Sequence, residues 1–409
     1  MGTTAGRLKA PRALEALRHR DFRYLFTGQA ISLIGDAAFV TALGWKTFTL
    51  AGTSRLGIVL VCQAIGVLTT LLIGGALADR LSRRRMMIGS DLTRFVAVAV
   101  LAVVDASGHL TFPLLVVFAT VVGLGNGFFY PAFGGMVTLL VPQPTIASAN
   151  SLIGVARWSS ILFGPALAGF LYHPAGSAVV FAADAASFLV SASFVYRTRP
   201  RVVEAAEPEG TLREIVSGAR YVAGVPWLWV TIVLFGVVLM LQLAPQQVLM
   251  PKLVVTQWHR GIGAYALLTT LMGVGTVTGT LLFGQLQPRR RRGVISYVFW
   301  VVNSLALVGI ALAPWYALAG GLMIVRGVCV GFGVAIWETM MMELVPEHLL
   351  SRVVSLDYFG SFGLMPLGLA FAAAVSGLAP PSTLIAAGAG VNVVMLAVVL
   401  TRPWLREVD

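Results

Sequence analysis

The sequence predicts an all-α membrane protein with twelve transmembrane helices, arranged as two pseudo-symmetric halves of six helices each. Hydrophobic residues make up 57% of the 409 positions and charged residues only 11%, whereas a soluble globular protein carries about 25% charged residues. The apolar residues fall in long runs, and about 20 such residues cross a bilayer core of roughly 30 Å. Basic residues collect between alternate runs, and the two halves of the chain repeat.

The chain begins with a polar, basic segment, residues 1–20, which we expect to lie in the cytoplasm. Six apolar runs then form the N-terminal bundle, residues 21–196. Pro142 and Pro144 are expected to end the fourth helix, and His173-Pro174 to end the fifth. The predicted helices cover residues 21–48, 55–78, 86–106, 112–140, 147–171 and 177–196, to within a few residues.

The composition becomes polar at residues 197–224, which we interpret as a cytoplasmic linker. Leu212, Ile215 and Val216 recur there at helical spacing, which predicts an amphipathic helix on the membrane surface. A C-terminal bundle, residues 225–402, and a cytoplasmic tail, residues 403–409, complete the chain. The second set of predicted helices covers residues 227–249, 262–286, 293–313, 315–344, 350–378 and 382–401.

The arginines predict the orientation of these helices. They crowd the N-terminus, the loop after the second helix, the linker, residues 289–292 and the tail, and are scarce in the other loops. Because basic loops stay in the cytoplasm, both termini are expected there. The same bias accounts for the net charge of +12, so we expect no nucleic-acid partner. We also expect no cofactor and no metal.

Two repeated motifs indicate an internal duplication. Leu140-Val141-Pro142 and Leu344-Val345-Pro346 each close a fourth helix, with an offset of 204 residues (346 − 142). Gly75-Ala76-Leu77 is echoed by Gly284-Gln285-Leu286 at an offset of 209 residues (284 − 75), and arginines follow both copies. Duplicated bundles of this kind are typical of transporters whose halves rock about a central site.

The loop after the second helix reads Gly75-Ala-Leu-Ala-Asp-Arg-Leu-Ser-Arg-Arg-Arg85. It resembles the loop motif of the major facilitator superfamily, Gly-x-Leu-Ala-Asp-Arg-x-Gly-Arg-Arg/Lys, with Ser82 standing where the family has Gly. The matching positions are Gly75, Leu77, Ala78, Asp79, Arg80, Arg83 and Arg84. Within that superfamily the chain is similar to bacterial drug and siderophore exporters of the enterobactin-exporter and macrolide-efflux type. The residues that carry this similarity are Asp36, Pro131-Ala132 and Ala149-Asn150-Ser151-Leu152.

The resemblance implies a gate on the cytoplasmic side, because the family's loop faces the eleventh helix across the two halves. Asp79 and Asp357 are then expected to share Arg80, Arg83 and nearby donors. Asp91 and Arg94 in the third helix are expected near the membrane surface, as partners of the arginine loop. The full set implied for this gate is Gly75, Asp79, Arg80, Arg83, Arg84, Asp91, Arg94 and Asp357.

Asp36 is the main candidate for proton coupling. It lies near the middle of the first helix, where an ionisable residue is costly and is by default a functional hypothesis. Gln29, Ser32 and Asp36 share one face of the helix at spacings of three and four residues, so we expect the other two to line the same cavity. Asp36 either exchanges a proton, pairs with a cationic substrate, or serves as a structural hydrogen-bond acceptor between helices.

Arg326 and Glu338, both in the tenth helix, are the other candidates for substrate or proton binding. Arg326 is either a ligand and counter-charge or one member of a fixed interhelical ion pair. Glu338 aligns with Gly327 and Gly331, and small residues mark close helix packing, so it contacts either the cavity or a neighbouring helix. We assign structural roles to two other charged residues within the membrane, Arg157 and Asp184.

Four further residues are expected to line the cavity. Tyr130 and Trp337 are chosen because the resemblance implies that the fourth and tenth helices line it. Gln242 and Gln246, beside Pro245 in the seventh helix, are polar groups suited to the same role. An aromatic and amide lining of this kind fits a drug-sized apolar ligand.

These features lead us to expect a proton-coupled antiporter that exports amphipathic small molecules by alternating access. Its partners are then the substrate, the proton and membrane lipid, and we expect a monomer. A lysophospholipid or lipid flippase of the same fold is an alternative. An intramembrane enzyme is disfavoured because the sequence contains neither H-E-x-x-H nor G-x-S-x-G. A membrane receptor without transport activity is a further alternative.

Overall fold

The computed structural model describes residues 12–78, 82–201 and 211–408, and these form helices joined by short turns. A 3₁₀ segment, Arg12–Arg18, precedes the first long helix, and a short one, Gln143–Thr145, follows α4. The helices of the N-terminal half are α1 (Arg20–Ala51), α2 (Thr53–Ala78), α3 (Arg83–Ala106), α4 (Phe112–Leu140) and α5 (Ile146–Arg197).

The C-terminal half contains shorter helices as well as long ones. A π-helical turn, Leu239–Leu243, joins α7 to α8, and a 3₁₀ segment, Pro403–Glu407, follows the last helix. The helices are α6 (Thr211–Gly224), α7 (Pro226–Val238), α8 (Ala244–Trp258), α9 (Ile262–Leu286), α10 (Arg292–Leu312), α11 (Tyr316–Leu344), α12 (Glu347–Phe362), α13 (Met365–Val375) and α14 (Pro381–Leu400).

The predicted fold class is confirmed. Eleven helical stretches in the described residues are long and apolar enough to cross a membrane. One of them, Ser148–Arg197, has 50 residues and would extend about 75 Å if it were straight. It breaks at Gly176, whose φ of 75° and ψ of −176° are open essentially only to glycine. This stretch is therefore long enough to cross twice, which makes twelve crossings among the described residues.

Two predicted helix ends were wrong, and proline is the reason in both cases. The fifth helix continues past Pro174 to Gly176, and the seventh continues through Pro251 to Trp258. Proline removes one backbone donor, and a membrane helix can absorb that loss through a local π adjustment. The π-helical turn at Leu239–Leu243 lies just before Pro245 and carries Gln242.

The internal duplication is visible in how the helices pack. Gly123 of α4 lies directly against the backbone carbonyl of Gln63 in α2, and Gly327 of α11 lies against that of Met272 in α9. The two glycines lie 204 residues apart (327 − 123), which is the offset of the repeated Leu-Val-Pro motif. Their partners lie 209 residues apart (272 − 63), which is the offset of the repeated glycine motif. Equivalent small residues therefore bring equivalent helix pairs together in both halves.

The two halves contact each other near one end of the bundle. We call this end the opposite face, because α1 ends there at Ala51, far from the arginine-rich face where α3 begins at Arg83. Trp45 of α1 stacks on Tyr265 of α9 with ring centroids 5.9 Å apart. Around this pair a shared hydrophobic core takes residues from both halves, including Leu56, Leu60, Leu249, Leu253 and Leu369.

At the arginine-rich face the described residues form separate cores. One core belongs to the N-terminal half and includes Phe22, Met87 and Leu140. The other belongs to the C-terminal half and includes Leu228 and Met341. The halves are therefore packed together at the opposite face and hold distinct cores at the arginine-rich face.

The amphipathic helix α6 packs on the C-terminal half. Val222 is buried in the core that contains Leu228. Arg352 of α12 donates a hydrogen bond of 3.0 Å from Nη1 to Ser217 Oγ. A predicted helix is therefore present in the linker, and its described contacts tie it to the start of α12. Residues 202–210 of the linker lie outside the described residues.

Candidate functional site

Asp36 lies close to an arginine in the middle of the N-terminal half. Its Oδ2 is 3.7 Å from Nη1 of Arg94, which projects from α3. The Asp36 side chain is 30% exposed, whereas that of Arg94 is 1% exposed. The carboxylate therefore stands between a buried cation and a space that solvent can enter.

Arg94 contacts four side chains from its own helix and the helices around it. It forms an ion pair with Asp91 and donates a hydrogen bond of 2.8 Å to Asn126 Oδ1 on α4. Its guanidinium lies between the rings of Phe129 and Phe188, 4.5 and 4.3 Å from their centroids. Cation–π contacts of this kind gain strength where water is excluded. These contacts hold Arg94 in the bundle interior.

A chain of hydrogen bonds connects Asp91 to the first helix. Ser191 Oγ donates to Asp91 Oδ2 at 2.7 Å, and Gln29 Nε2 donates to Ser191 Oγ at 2.7 Å. Ser32, one turn along α1 from Gln29, is buried. Gln29 therefore anchors the buried Asp91–Arg94 pair rather than lying free beside Asp36.

Asp91 and Arg94 differ from the expectation that they act near the membrane surface with the arginine loop. They are the ninth and twelfth residues of α3, about 12 and 16 Å from its start. That depth brings them level with Asp36. The sequence pattern missed this partnership because the counter-charge of Asp36 comes from the third helix, and helix rotation is not visible in the apolar runs.

The C-terminal half contains a related cluster around Arg326. Its Nε donates to Asn303 Oδ1 at 3.1 Å, and Nη1 donates to Gln246 Oε1. Arg326 is buried, and both of these acceptors are neutral amides. Gln242 accepts hydrogen bonds from Ser304 at 3.0 Å and from Asn392 at 3.3 Å. The predicted lining residues Gln242 and Gln246 are therefore occupied by partners within their own half.

Four exposed side chains from the two halves act electrostatically on one another, and we call the region between them the inter-half cleft: Tyr130, Arg157, Glu338 and Tyr358. Tyr130 is 47% exposed although its helix crosses the membrane. Arg157 acts electrostatically on Tyr130 of its own half and on Glu338 and Tyr358 of the other half. Asp36 also acts on Tyr130. These groups therefore face one another, with Asp36 nearby in the N-terminal half.

Trp337 and Asp357 connect α11 to α12 within the C-terminal half. Trp337 Nε1 donates to Asp357 Oδ2 at 3.3 Å, and Ser361 Oγ lies 3.4 Å from Asp357 Oδ1. The Trp337 ring also meets the ring of Trp227 edge-on, with centroids 5.7 Å apart. Trp337 thus packs within the bundle beside the exposed Glu338.

The described part of the arginine loop contacts its own half. Arg83 Nη1 donates to the carbonyl of Gly135 at 2.7 Å. Arg84 Nε donates to the carbonyl of Val195 at 3.4 Å. Gly75 lies in the last turn of α2, and Asp79 and Arg80 lie outside the described residues. The gate between this loop and Asp357 stays a prediction.

Sequence reasoning missed several contributors to the site, among them Asn126, Asn303 and Arg157. Asn126 was overlooked because an asparagine in an apolar run carries no charge signal. Arg157 was assigned a structural role, yet it is exposed in the inter-half cleft. The available signal was its charge within the apolar run of residues 147–171, since such a charge is costly unless it faces water or a partner.

Comparisons with known proteins agree with this architecture. The family model described as Major Facilitator Superfamily matches residues 25–369. Macrolide efflux protein A of Streptococcus pyogenes is 24% identical over 86% of this chain and 88% of its own length. The multidrug efflux pump Tap of Mycolicibacterium fortuitum is 25% identical over 92% and 94%. The enterobactin exporter EntS of Citrobacter koseri is 24% identical over 82% and 80%.

A solved structure supports the fold independently. A bacterial homologue of the iron transporter ferroportin, in an inward-facing state, superposes with a TM-score of 0.69. It covers 94% of this chain and 99% of its own, at 18% sequence identity.

Proposed function

This chain belongs to the major facilitator superfamily of membrane transporters, and on that premise we propose that it exports amphipathic small molecules in exchange for protons. It is a multi-pass membrane transporter and not an enzyme. Relatives that cover most of its length are named as a macrolide efflux protein, a multidrug efflux pump and an enterobactin exporter. Those names favour export over uptake.

The proposed orientation follows the arginines. We take the arginine-rich face as cytoplasmic, in the inner membrane of a bacterium, with both termini on that side. The halves contact each other at the opposite face through Trp45 and Tyr265, so the inter-half cleft is then open toward the cytoplasm. One chain supplies both halves, residues 21–196 and 225–402, and a monomer suffices.

The observation that carries the proposal is the position of Asp36 between Arg94 and solvent. In the inward-facing state, Asp36 releases its proton to the cytoplasm and the carboxylate pairs with Arg94 as substrate enters. After the halves rock, Asp36 takes a proton from outside and the substrate leaves. Because a proton must bind before the empty carrier returns, the proton gradient drives export.

The inter-half cleft supplies groups suited to an amphipathic substrate. Tyr130 and Tyr358 offer aromatic surface to an apolar body, while Glu338 and Arg157 offer charges of opposite sign to polar groups. Arg83 and Asp357, together with Asp79 and Arg80, are proposed to close the cytoplasmic side when the halves rock. Such closure would bring the arginine loop of one half against α12 of the other.

Asp36→Asn tests the proposal. The variant and wild type are reconstituted into liposomes, and uptake of a radiolabelled macrolide into inside-out vesicles is measured with and without a proton gradient. Gradient-driven uptake is expected in wild type and absent in Asp36→Asn, while exchange without a gradient persists in both.

The matched control is Asp105→Asn, which changes a carboxylate in the same half that pairs with Lys46 at 2.7 Å. Gradient-driven uptake is expected to survive in the control. Full gradient-driven uptake by Asp36→Asn would remove Asp36 from the coupling mechanism.

A further inference from the structure

Asp184 is a fully buried carboxyl group for which the transport cycle above gives no role. It lies in the second crossing of α5, and its side chain is 0% exposed. Ser187 Oγ lies 3.3 Å from Asp184 Oδ1, whereas Asp184 Oδ2 has no hydrogen-bond partner among the described residues. An ionised carboxylate with an unpaired oxygen is strongly disfavoured in such surroundings.

Asp184 lies against the residue that precedes Asp36. A Cβ atom added at Gly35 would stand 2.6 Å from Asp184 Oδ1. The packing of α1 against α5 is therefore close at this point, and it brings Asp184 beside the residue that precedes Asp36. Asp36 acts electrostatically on Asp184, and the only described cation that also acts on Asp184 is Arg94.

The charges of this cluster do not balance. The guanidinium of Arg94 forms an ion pair with Asp91 and lies 3.7 Å from Asp36, and it also acts electrostatically on Asp184. If all three aspartates were ionised, the cluster would carry two net negative charges, one of them on the enclosed Asp184. A proton on Asp184 leaves one net negative charge, and it falls on Asp36, the member that solvent reaches.

We infer that Asp184 holds a proton and is neutral while the Asp36 carboxylate faces Arg94. Asp184 is then a positioning residue for proton coupling. Because a neutral Asp184 does not repel the Asp36 carboxylate, Arg94 is the charged group that acts on Asp36. The inference deepens the proposed function and rests on the role given there to Asp36.

Infrared difference spectroscopy of the purified full-length protein tests the inference directly. The C=O stretch of a protonated carboxyl group is separated from that of a carboxylate and shifts in D₂O. At neutral pH, the wild-type minus Asp184→Asn spectrum is expected to contain the band of one protonated carboxyl among the seventeen acidic residues. The band is expected to persist in Asp36→Asn, because Asp184 still holds the proton there.

The inference is overturned if the spectrum of Asp184→Asn retains the band, or if the band is lost in Asp36→Asn. Asp105→Asn is the matched control, since Asp105 is also enclosed in the N-terminal half but has Lys46 as its partner. It is expected to keep the band. Loss of the same band in this control would also overturn the assignment to Asp184.

Ser187→Ala keeps the test decisive if Asp184→Asn does not fold. Removing the hydroxyl group next to Asp184 is expected to shift the band of the protonated carboxyl, and an unchanged band would rule out Asp184 as its source. The spectra need neither substrate nor gradient. Their result is therefore independent of the macrolide uptake assay, and each proposal can fail without the other.

Discussion

Gln246 holds in the C-terminal half the position that Asp36 holds in the N-terminal half. The two lie 210 residues apart (246 − 36), close to the offset of 209 residues between the repeated glycine motifs. Gln246 faces the buried Arg326, and Asp36 faces the buried Arg94. The buried arginine lies on a different helix in each half: Arg94 is on α3, whereas Arg326 is on α11. The residue that corresponds to Arg94 in the repeat is Asn303 of α10, and it accepts a hydrogen bond from Arg326. The N-terminal cluster thus has a titratable carboxyl group at this position, whereas its C-terminal counterpart has an amide.

Converting Gln246 into an acid should therefore stabilise the protein. Gln246→Glu gives Arg326 an ionised partner in place of an amide, and a charge-assisted hydrogen bond is worth about 1 kcal/mol more than a neutral one. Thermal unfolding in detergent is expected to shift upward. Gln242→Glu is the control, because Gln242 accepts from the neutral Ser304 and Asn392. A buried charge without a cation should lower the unfolding temperature.

Removing the guanidinium of Arg94 should destabilise the N-terminal half severely. Arg94→Gln leaves Asp91 buried and ionised without its partner, and breaking such a pair costs about 3–5 kcal/mol of unfolding free energy. The double variant Asp91→Asn/Arg94→Gln should recover much of that loss, because neither charge remains. Denaturant unfolding of the three proteins measures the difference. A double variant no more stable than Arg94→Gln would contradict the ion-pair account.

The aromatic contact at the opposite face should bias the conformational equilibrium. A stacked pair such as Trp45 and Tyr265 is worth about 0.5–1.5 kcal/mol. Trp45→Ala should therefore raise the population of molecules whose halves are separated at the opposite face by about two- to tenfold. Spin labels at His109 and Gly261, in a background without Cys62 and Cys329, report the separation of the halves. Trp45→Phe retains an aromatic ring and should stay close to wild type. Identical distance distributions for Trp45→Ala and wild type would contradict the prediction.

Glu338 should determine the preference of the inter-half cleft for cationic ligands. Replacing it with Gln removes an exposed carboxylate that faces Arg157 across the cleft, and we expect about tenfold weaker binding of a cationic macrolide, equivalent to about 1.4 kcal/mol. Arg157→Gln removes the competing cation and should strengthen binding. Tryptophan-fluorescence titration of each variant provides the affinities. Equal weakening by both substitutions would indicate general damage to the cleft.

The fold was predictable because its signals are local. Apolar runs, arginine placement and the repeated motifs each lie in continuous stretches of sequence. The errors at Pro174 and Pro251 have one cause: a proline that ends a helix and one that lies within it look the same when neighbouring helices can absorb the lost donor. The sequence alone does not show which helices pack around each proline.

The site was predictable only in part, for a related reason. Asp36 and Arg326 were identified because a charge in an apolar run stands out. Their partners were missed because the rotation of α3 relative to α1, which brings Arg94 to Asp36, depends on packing at Gly35 and Gly125. The first lies against Asp184 and the second against the Arg94 side chain. Such contacts join positions that are far apart in the chain.

The enclosure of Arg94 between Phe129 and Phe188 has a consequence for the speed of transport. A guanidinium held by two rings, Asp91 and Asn126 cannot follow the Asp36 carboxylate when it moves away. The short side chain of Asp36 therefore makes and breaks the pairing with Arg94. Reorientation of an accessible side chain takes picoseconds to nanoseconds, whereas rigid-body motion of domains takes microseconds to milliseconds. Turnover is therefore expected to be limited by the rocking of the halves, and the side chain of Asp36 reorients many times within each stroke.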